Sequence, residues 1–424
     1  MKKYKILAFL LPLFVFSNCD LSILEDPNGI KPENGNPLYF IAGAFKLGFE
    51  GHNQICWSAG LIGGEEISAI SANISQTPVF IETEKTVRGD LGQNGSQANF
   101  IYSALSLAAE GRKAVEKNTT ASANAKAVLL ANVNLLEGML YGDWAKFYES
   151  CYEFGTGKKM TPTETRDLAI ARLTEAIKLF GSVTGGYTPA DSAQIRGLFI
   201  NPTMATKFCN SFAGMLLFDM GQKAQAAPYL TKGYARSDVG IELGYKNSNS
   251  LTTGGDAIYS AVVSGVQFQL NQYSANFRNN RFVVDTFRRF PSNWFLPQIS
   301  LADNAGKINY FYPSAPGSGA GTGVAAIPAD SRLAFYPIIT ANEVSLMLAD
   351  PAVSPTMTAA ERITVLTAVL TSWRIPAAVA ATVAADPATT LERVARYEYA
   401  GRGRRWSAVG TYARWPLANE FNFR

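Results

Sequence analysis

Histidine is nearly missing from this 424-residue chain; His52 is the only one. A lone imidazole without other nitrogen donors makes no zinc site, so His52 reads as a surface or packed residue and no metal is expected. The four cysteines, at positions 19, 56, 151 and 209, lack the paired spacing of metal or redox motifs. With Cys19 accounted for separately below, the other three allow one bridge at most, and nothing in their spacing demands it. No nucleophile-elbow or phosphate-loop pattern occurs. The glycine-rich run 317–323 lacks the closing Lys-Ser/Thr and the strand–helix context that a phosphate loop needs. Glu65-Glu66 beside Gly63-Gly64 is a pair of acids, but sequence neighbours rarely face one point, as paired catalytic carboxylates must. The formal net charge is +4, and three of those charges are Lys2, Lys3 and Lys5. No basic block remains, so nucleic acid is a poor partner. Past residue 16 there is no second long apolar run, which argues for anchoring rather than spanning. These absences point to a protein that binds rather than catalyses, with no cofactor.

What is present is helical periodicity. Residues 125–148 carry Leu129, Val133, Leu136 and Leu140 at helical spacing, with Val128, Leu135 and Met139 widening the stripe. Asn132, Asn134 and Glu137 are expected off that face. The helix runs into Tyr141-Gly142-Asp143-Trp144 and is followed by a glycine-rich break. Thr161-Pro162-Thr163-Glu164 is a capping box with proline at the first helical position, so a second helix starts there, with Ala169, Leu173, Ala176 and Phe180 as its stripe. Asn201-Pro202 opens a third, with Met204, Phe208, Phe212 and Met215 on one side, and Gly221 ends it. Residues 222–235 make a fourth, with Ala226, Tyr229, Leu230 and Tyr234. The unit 202–235 has the length of a tetratricopeptide repeat. Such hairpins cannot bury their apolar faces singly, so they must stack into a scaffold.

The N-terminus reads as a lipoprotein signal. Lys2, Lys3 and Lys5 precede an apolar run over residues 6–16, broken only by Pro12 and too short to span a bilayer. Phe16-Ser17-Asn18 is a poor simple cleavage site, whereas Cys19 stands where a lipidated cysteine would. Residues 1–18 are then the signal peptide. Three acyl chains on Cys19 would hold the mature protein to a membrane, since two already suffice. The polar, turn-rich residues 19–36 form a tether.

The remaining chain is expected as one domain, 37–424, with helical scaffold mainly at 99–236 and 336–400. Residues 37–49 read as helix and 57–66 as a loop. Residues 99–115 form an amphipathic helix, with Ile101, Leu105 and Ala108 on one side. Residues 244–313 change character: glycine, asparagine and aromatics alternate without clear period, and a Gly/Ser/Ala stretch follows to 326. The irregular part is therefore placed mainly at 244–330. Tyr336-Pro337-Ile338-Ile339-Thr340-Ala341-Asn342-Glu343 leads into a helix through Leu348, and 358–373 is another. An Ala/Thr/Pro-rich patch then precedes a last helix at 391–400.

The order of these features resembles the SusD/RagB family of surface lipoproteins from Bacteroidota. The resemblance rests on the lipoprotein cysteine followed by Leu24-Glu25-Asp26-Pro27-Asn28 and on the helix ending Leu140-Tyr141-Gly142-Asp143. It rests also on the Ala-rich helix 205–217, on Ala341-Asn342-Glu343-Val344 with Leu346 and Leu348-Ala349, and on the closing Arg405-Trp406 and Arg414-Trp415. Arg402 and Ala408 stand where acidic residues are usual, and Asn279-Asn280 precede Arg281 where Asp-Pro is common.

The resemblance implies a mostly α fold, with tetratricopeptide-like hairpins in a superhelical scaffold packed against an irregular, ligand-binding region. It further implies a lid over a TonB-dependent, SusC-type outer-membrane barrel, lipid-anchored and facing outward, that captures an oligosaccharide or a peptide. Glycan rings present apolar C–H faces between hydroxyls, so aromatics flanked by polar side chains suit them. Trp294, beside the turn Pro291-Ser292-Asn293, ranks first as a ligand contact, followed by Tyr273, Tyr310, Tyr312 and Trp57. The alternative is a periplasm-facing, tetratricopeptide-type interaction lipoprotein. The anchor makes a direct prediction: Cys19→Ala moves the protein from the membrane fraction to the soluble fraction. A mutant that stays with membranes, together with a wild type that takes up no labelled fatty acid, refutes it.

Overall fold

The computed structural model describes residues 35–62, 67–69, 86–87, 93–148, 150–239, 242–246, 268–270, 335–372, 377–398 and 422–423. Eleven α-helices lie within them: α1 (Pro37–Ile62), α2 (Gln93–Lys117), α3 (Ala123–Phe147), α4 (Pro162–Gly181), α5 (Pro189–Gln194), α6 (Pro202–Asp219), α7 (Lys223–Leu230), α8 (Ala341–Ala349), α9 (Ala359–Ser372), α10 (Ala377–Ala384) and α11 (Pro387–Glu398). The described strands are short and form two-stranded pairs. They are β1 (Ile67–Ala69), β2 (Thr86–Val87), β3 (Cys151–Tyr152), β4 (Lys159–Met160), β5 (Gly244–Lys246), β6 (Phe268–Leu270), β7 (Phe335–Pro337) and β8 (Asn422–Phe423).

Helix α3 is the axis of the bundle. The Ser122 hydroxyl accepts the Ala125 N–H at 3.1 Å to start it. From Val128 onward it is buried almost all the way round, packed by α1, α2, α4 and α6. The expectation that Asn132, Asn134 and Glu137 would lie off the buried face is therefore corrected: all three are buried. Each has partners. Asn132 clamps the backbone of Phe199, its Nδ2 donating to the carbonyl and its Oδ1 accepting the N–H, both at 3.0 Å. Arg112 of α2 donates to Glu137 at 2.8 Å and to Asn134 at 3.4 Å. Arg172 of α4 approaches Glu137 to 3.2 Å from the other side. Burial of polar groups is tolerated because it comes with partners.

The capping box at Thr161 starts α4 as its sequence requires; the Glu164 carboxylate accepts the Thr161 N–H at 2.9 Å, and Ala169, Leu173, Ala176 and Phe180 are buried. Asn201 caps α6, and Gly221 turns the chain at φ +79°. Helix α7 stops at Leu230, short of the expected 235. Beyond it the Gly233 N–H bonds to the Leu230 carbonyl, and the Ser211 hydroxyl takes the Tyr234 N–H at 2.8 Å. The chain thus turns against α6, where Gly233 fits beside Ser211, and a 3-10 turn at Arg236–Asp238 follows.

Four other elements differ from expectation. Helix α1 continues to Ile62, so Trp57 is on a helix rather than a loop. Buried Ile55 and the His52–Asp143 contact extend its packing beyond residue 49. The Ala-rich patch forms α10, as alanine's helix preference favours. Helix α11 begins at Pro387, where the Asp386 carboxylate accepts the Ala388 N–H at 3.2 Å. Helix α5, with its own capping box between Thr188 and Asp191, was not anticipated.

The strand pairs tie distant segments together. β5 pairs antiparallel with β7, Tyr245 opposite Tyr336, at the two places where the irregular stretch leaves and rejoins the helical scaffold. β1 pairs antiparallel with β6, and β2 pairs parallel with β8. β3 and β4 form a hairpin between α3 and α4.

Close helix approach depends on missing side chains. A Cβ on Gly138 would sit 2.6 Å from Leu173 Cγ and 3.1 Å from the Ala169 carbonyl oxygen. Gly138→Val should therefore destabilise the fold by about 1–3 kcal/mol through overpacking. Gly181→Val, whose Cβ would meet nothing within 4 Å, provides the thermal-unfolding control. Equal melting temperatures for the two variants would show that the α3–α4 contact is not as tight as described.

Candidate functional site

The five aromatics expected at the ligand fall almost wholly outside the described residues. Trp294, Tyr273, Tyr310 and Tyr312 lie outside the described residues, as does the lipidation candidate Cys19. Trp57 lies near the end of α1, with its side chain outside the described set. Cys151 and Cys209 are buried free thiols, so they are not bridged to each other.

The described structure does resolve the last turns of α3 and the part of α1 beside them. Here His52 Nδ1 lies 2.8 Å from Asp143 Oδ2, joining the two helices. Buried Lys146 reaches Asp143 and Asp219 at 3.9 and 3.8 Å, bringing α6 into the same cluster. These groups face one another in the interior. Together they hold helices in register, and they form no acid–base pair at an open cleft. Gly142, within the Tyr-Gly-Asp segment, lets Phe212 approach; a Cβ there would be 2.7 Å from its ring.

Beside this cluster stands a group of rings. Trp144 packs against Tyr102 at 4.4 Å between centroids, Tyr141 at 5.9 Å and Tyr148 at 6.4 Å. Two of the phenols reach out to the β3–β4 hairpin. The Tyr152 N–H donates to Tyr102 Oη at 3.2 Å, and the Phe154 N–H donates to Tyr141 Oη at 3.0 Å. Burial pushes the Tyr141 hydroxyl up to about 12, and it raises Tyr102 and Tyr148 as well. The hairpin's base is fixed by buried Cys151 and Met160, with Cys151 Sγ 3.2 Å from Thr165 Oγ1.

Above that base the hairpin is open to solvent. Gly155 and Gly157 take φ values of +88° and +69°, which allow the tight turn. Tyr152 is 51% exposed and Phe154 37%, unlike the buried rings beneath them. Sequence reasoning treated this stretch only as a glycine-rich break. The signal that could have found it is the pair Tyr152 and Phe154, two apart, just before Gly155-Thr156-Gly157.

A second feature is an open groove of about 630 Å³ along α9, lined by Arg236, Ile363, Thr364, Thr367 and Thr371. Its one charged group is engaged already: Arg236 donates to the Ala368 carbonyl at 2.8 Å. Among the described residues no cluster of metal-type ligands occurs, and no helix is long and apolar enough to cross a membrane.

No family model and no curated protein matches the sequence. Solved structures do match. A SusD superfamily protein from Bacteroides thetaiotaomicron is 13% identical, with 91% of this chain and 92% of that one covered at a TM-score of 0.59. Surface glycan-binding protein A from the same organism, solved in complex with laminarihexaose, is 11% identical over 91% and 93% at 0.58. Surface glycan-binding protein A from Bacteroides fluxus is 11% identical over 92% of each chain at 0.59. At such identities the likeness is one of fold. Extending over nine-tenths of each chain, it establishes that this protein has the mostly helical fold of the SusD superfamily.

Proposed function

We propose that the chain is a SusD/RagB-type lipoprotein that captures an oligomeric nutrient, a glycan, and serves as the lid of a TonB-dependent, SusC-type barrel. In this reading residues 1–18 are a signal peptide, Cys19 carries the lipid, 19–36 are the tether and 37–424 form one domain. The protein faces outward from the outer membrane. The observation that carries the reading is the SusD fold over nine-tenths of the chain, shared with a protein solved in complex with laminarihexaose.

The architecture supports a division of labour. Stacked hairpins make a rigid surface suited to a protein partner. The stretch between β5 and β7 is rich in aromatics and polar residues, the mixture that sugar rings require. A lid needs a separable interface, so its contact with the barrel should be polar and modest. Several buried charges are drawn into structural pairs, among them His52–Asp143, Arg112–Glu137 and Lys207–Asp238.

Cross-linking in intact cells of the native host, followed by mild-detergent purification, should recover a TonB-dependent barrel in comparable amount. Purification of the protein alone would favour the periplasmic interaction reading instead. Calorimetry against an oligosaccharide panel tests the ligand surface. Alanine at Trp294, Tyr273, Tyr310, Tyr312 or Trp57 should weaken binding by about 1 kcal/mol for each ring that stacks. Unchanged affinity across all five, with native circular dichroism, would move the site elsewhere.

A further inference from the structure

We propose that the tip of the β3–β4 hairpin is a second glycan-binding platform, with Tyr152 and Phe154 as its stacking surfaces; this rests on the nutrient-capture reading. Four observations carry it. The first is exposure. Large rings are costly to leave in water, yet Tyr152 and Phe154 are 51% and 37% exposed, while the neighbouring Tyr102–Tyr141–Tyr148–Trp144 group is packed. Tyr152 ends β3 and Phe154 opens the turn that follows, and both are exposed with half-buried Glu153 between them.

The second is preorganisation. The backbone N–H of each exposed aromatic is held by a phenol from the interior, Tyr152 by Tyr102 and Phe154 by Tyr141. Both ring-bearing residues are thereby fixed at the backbone, and little ordering entropy is left to lose on binding. The third is chemistry. The rings are flanked by the Glu153 carboxylate, which accepts from the Thr156 hydroxyl at 2.8 Å, by exposed Lys158, which reaches Glu164 at 3.0 Å, and by exposed Lys159 opposite Tyr152. An apolar face bordered by hydrogen-bonding groups fits a pyranose, with its C–H faces and equatorial hydroxyls. Two rings on a ten-residue hairpin are far too little for a protein partner, which needs about 800 Å² on each side.

The fourth is position. Helices α1 and α3 run parallel, since Gly48 meets Leu136 and Leu140, and His52 meets Asp143. The chain from Cys19 enters at the Pro37 end of α1, whereas the hairpin follows the far end of α3. The 25 residues of α3 put about 37 Å between those ends. The hairpin end is also where α1 leads toward β1 and its partner β6 from the irregular stretch. The hairpin thus lies at the end of the bundle opposite Pro37.

Affinity electrophoresis of the full mature chain in detergent through gels containing laminarin, starch, xylan or mannan tests this. Wild type should be retarded by at least one polysaccharide. Tyr152→Ala with Phe154→Ala should weaken that retardation by roughly tenfold in apparent affinity. Tyr152→Phe with Phe154→Tyr, which keeps both rings, should restore it. Equal retardation of wild type and the double alanine variant, with matching melting temperatures, overturns the platform and leaves the nutrient reading intact. Wild type retarded by none of the gels overturns the glycan reading and the platform with it. If the double alanine variant instead loses only binding to phosphatidylglycerol vesicles, the tip is a membrane contact and the proposal fails.

Discussion

The constraint on which the structure depends is the near-complete burial of α3. A helix buried on all sides is normally apolar all round, yet this one places Asn132, Asn134, Glu137, Asp143 and Lys146 in the interior. Each must find a partner, because an uncompensated buried charge costs several kcal/mol. The partners come from different elements: Arg112 on α2, Arg172 on α4, His52 on α1, Asp219 on α6 and the Phe199 backbone ahead of α6. Apolar contacts alone would tolerate a helix shifted by one turn. Polar pairs do not, since a shift would strand a charge. The net stability from such pairs is small, and their effect is on which register is adopted.

That constraint also marks what the sequence can and cannot reveal. Helix starts are legible where side chain and backbone solve the problem within four residues, as at Thr161–Glu164 and Asn201–Met204. Stripes are legible where one face is wet, as on α4, whose Ala169, Leu173, Ala176 and Phe180 are buried as expected. On α3 the pattern misleads, because the residues that look solvent-facing meet partners dozens of positions away. The end of α1 fails for the same reason: residues 57–62 read as loop, but the helix continues through them past buried His52 and Ile55. The hairpin tip escaped because glycine-rich stretches read as breaks. Its significance comes only from which rings stay exposed.

The same reasoning accounts for fold likeness at 11–13% identity. Stacked hairpins need apolar periodicity and small residues at helix crossings, here Gly48, Gly138, Gly142 and Gly214. Many sequences meet those requirements, since cores tolerate extensive change when volume and pattern hold. Ligand surfaces are built elsewhere, on loops and hairpins carried by the scaffold, where substitutions alter what is bound without disturbing the helices. A shared fold thus transmits an architecture, and the ligand must be argued from this chain's own exposed groups.

The link between the two levels runs through the buried phenols. Tyr102 and Tyr141 are held in the bundle by stacking on Trp144, and burial keeps their hydroxyls protonated well above neutral pH. A neutral phenol oxygen retains lone pairs to accept an amide proton, and the Tyr152 and Phe154 amides supply it. The sign of the shift matters: a raised tyrosine pKa extends the pH range over which the phenol stays uncharged, so no buried phenolate forms near neutrality to disturb the cluster. The hairpin inherits its position from the core through two hydrogen bonds whose acceptors do not titrate in the physiological range. A scaffold stabilised by internal pairing can in this way present rings to solvent in a fixed geometry. That is the requirement for recognising a ligand whose own shape is an alternation of flat apolar faces and hydroxyls.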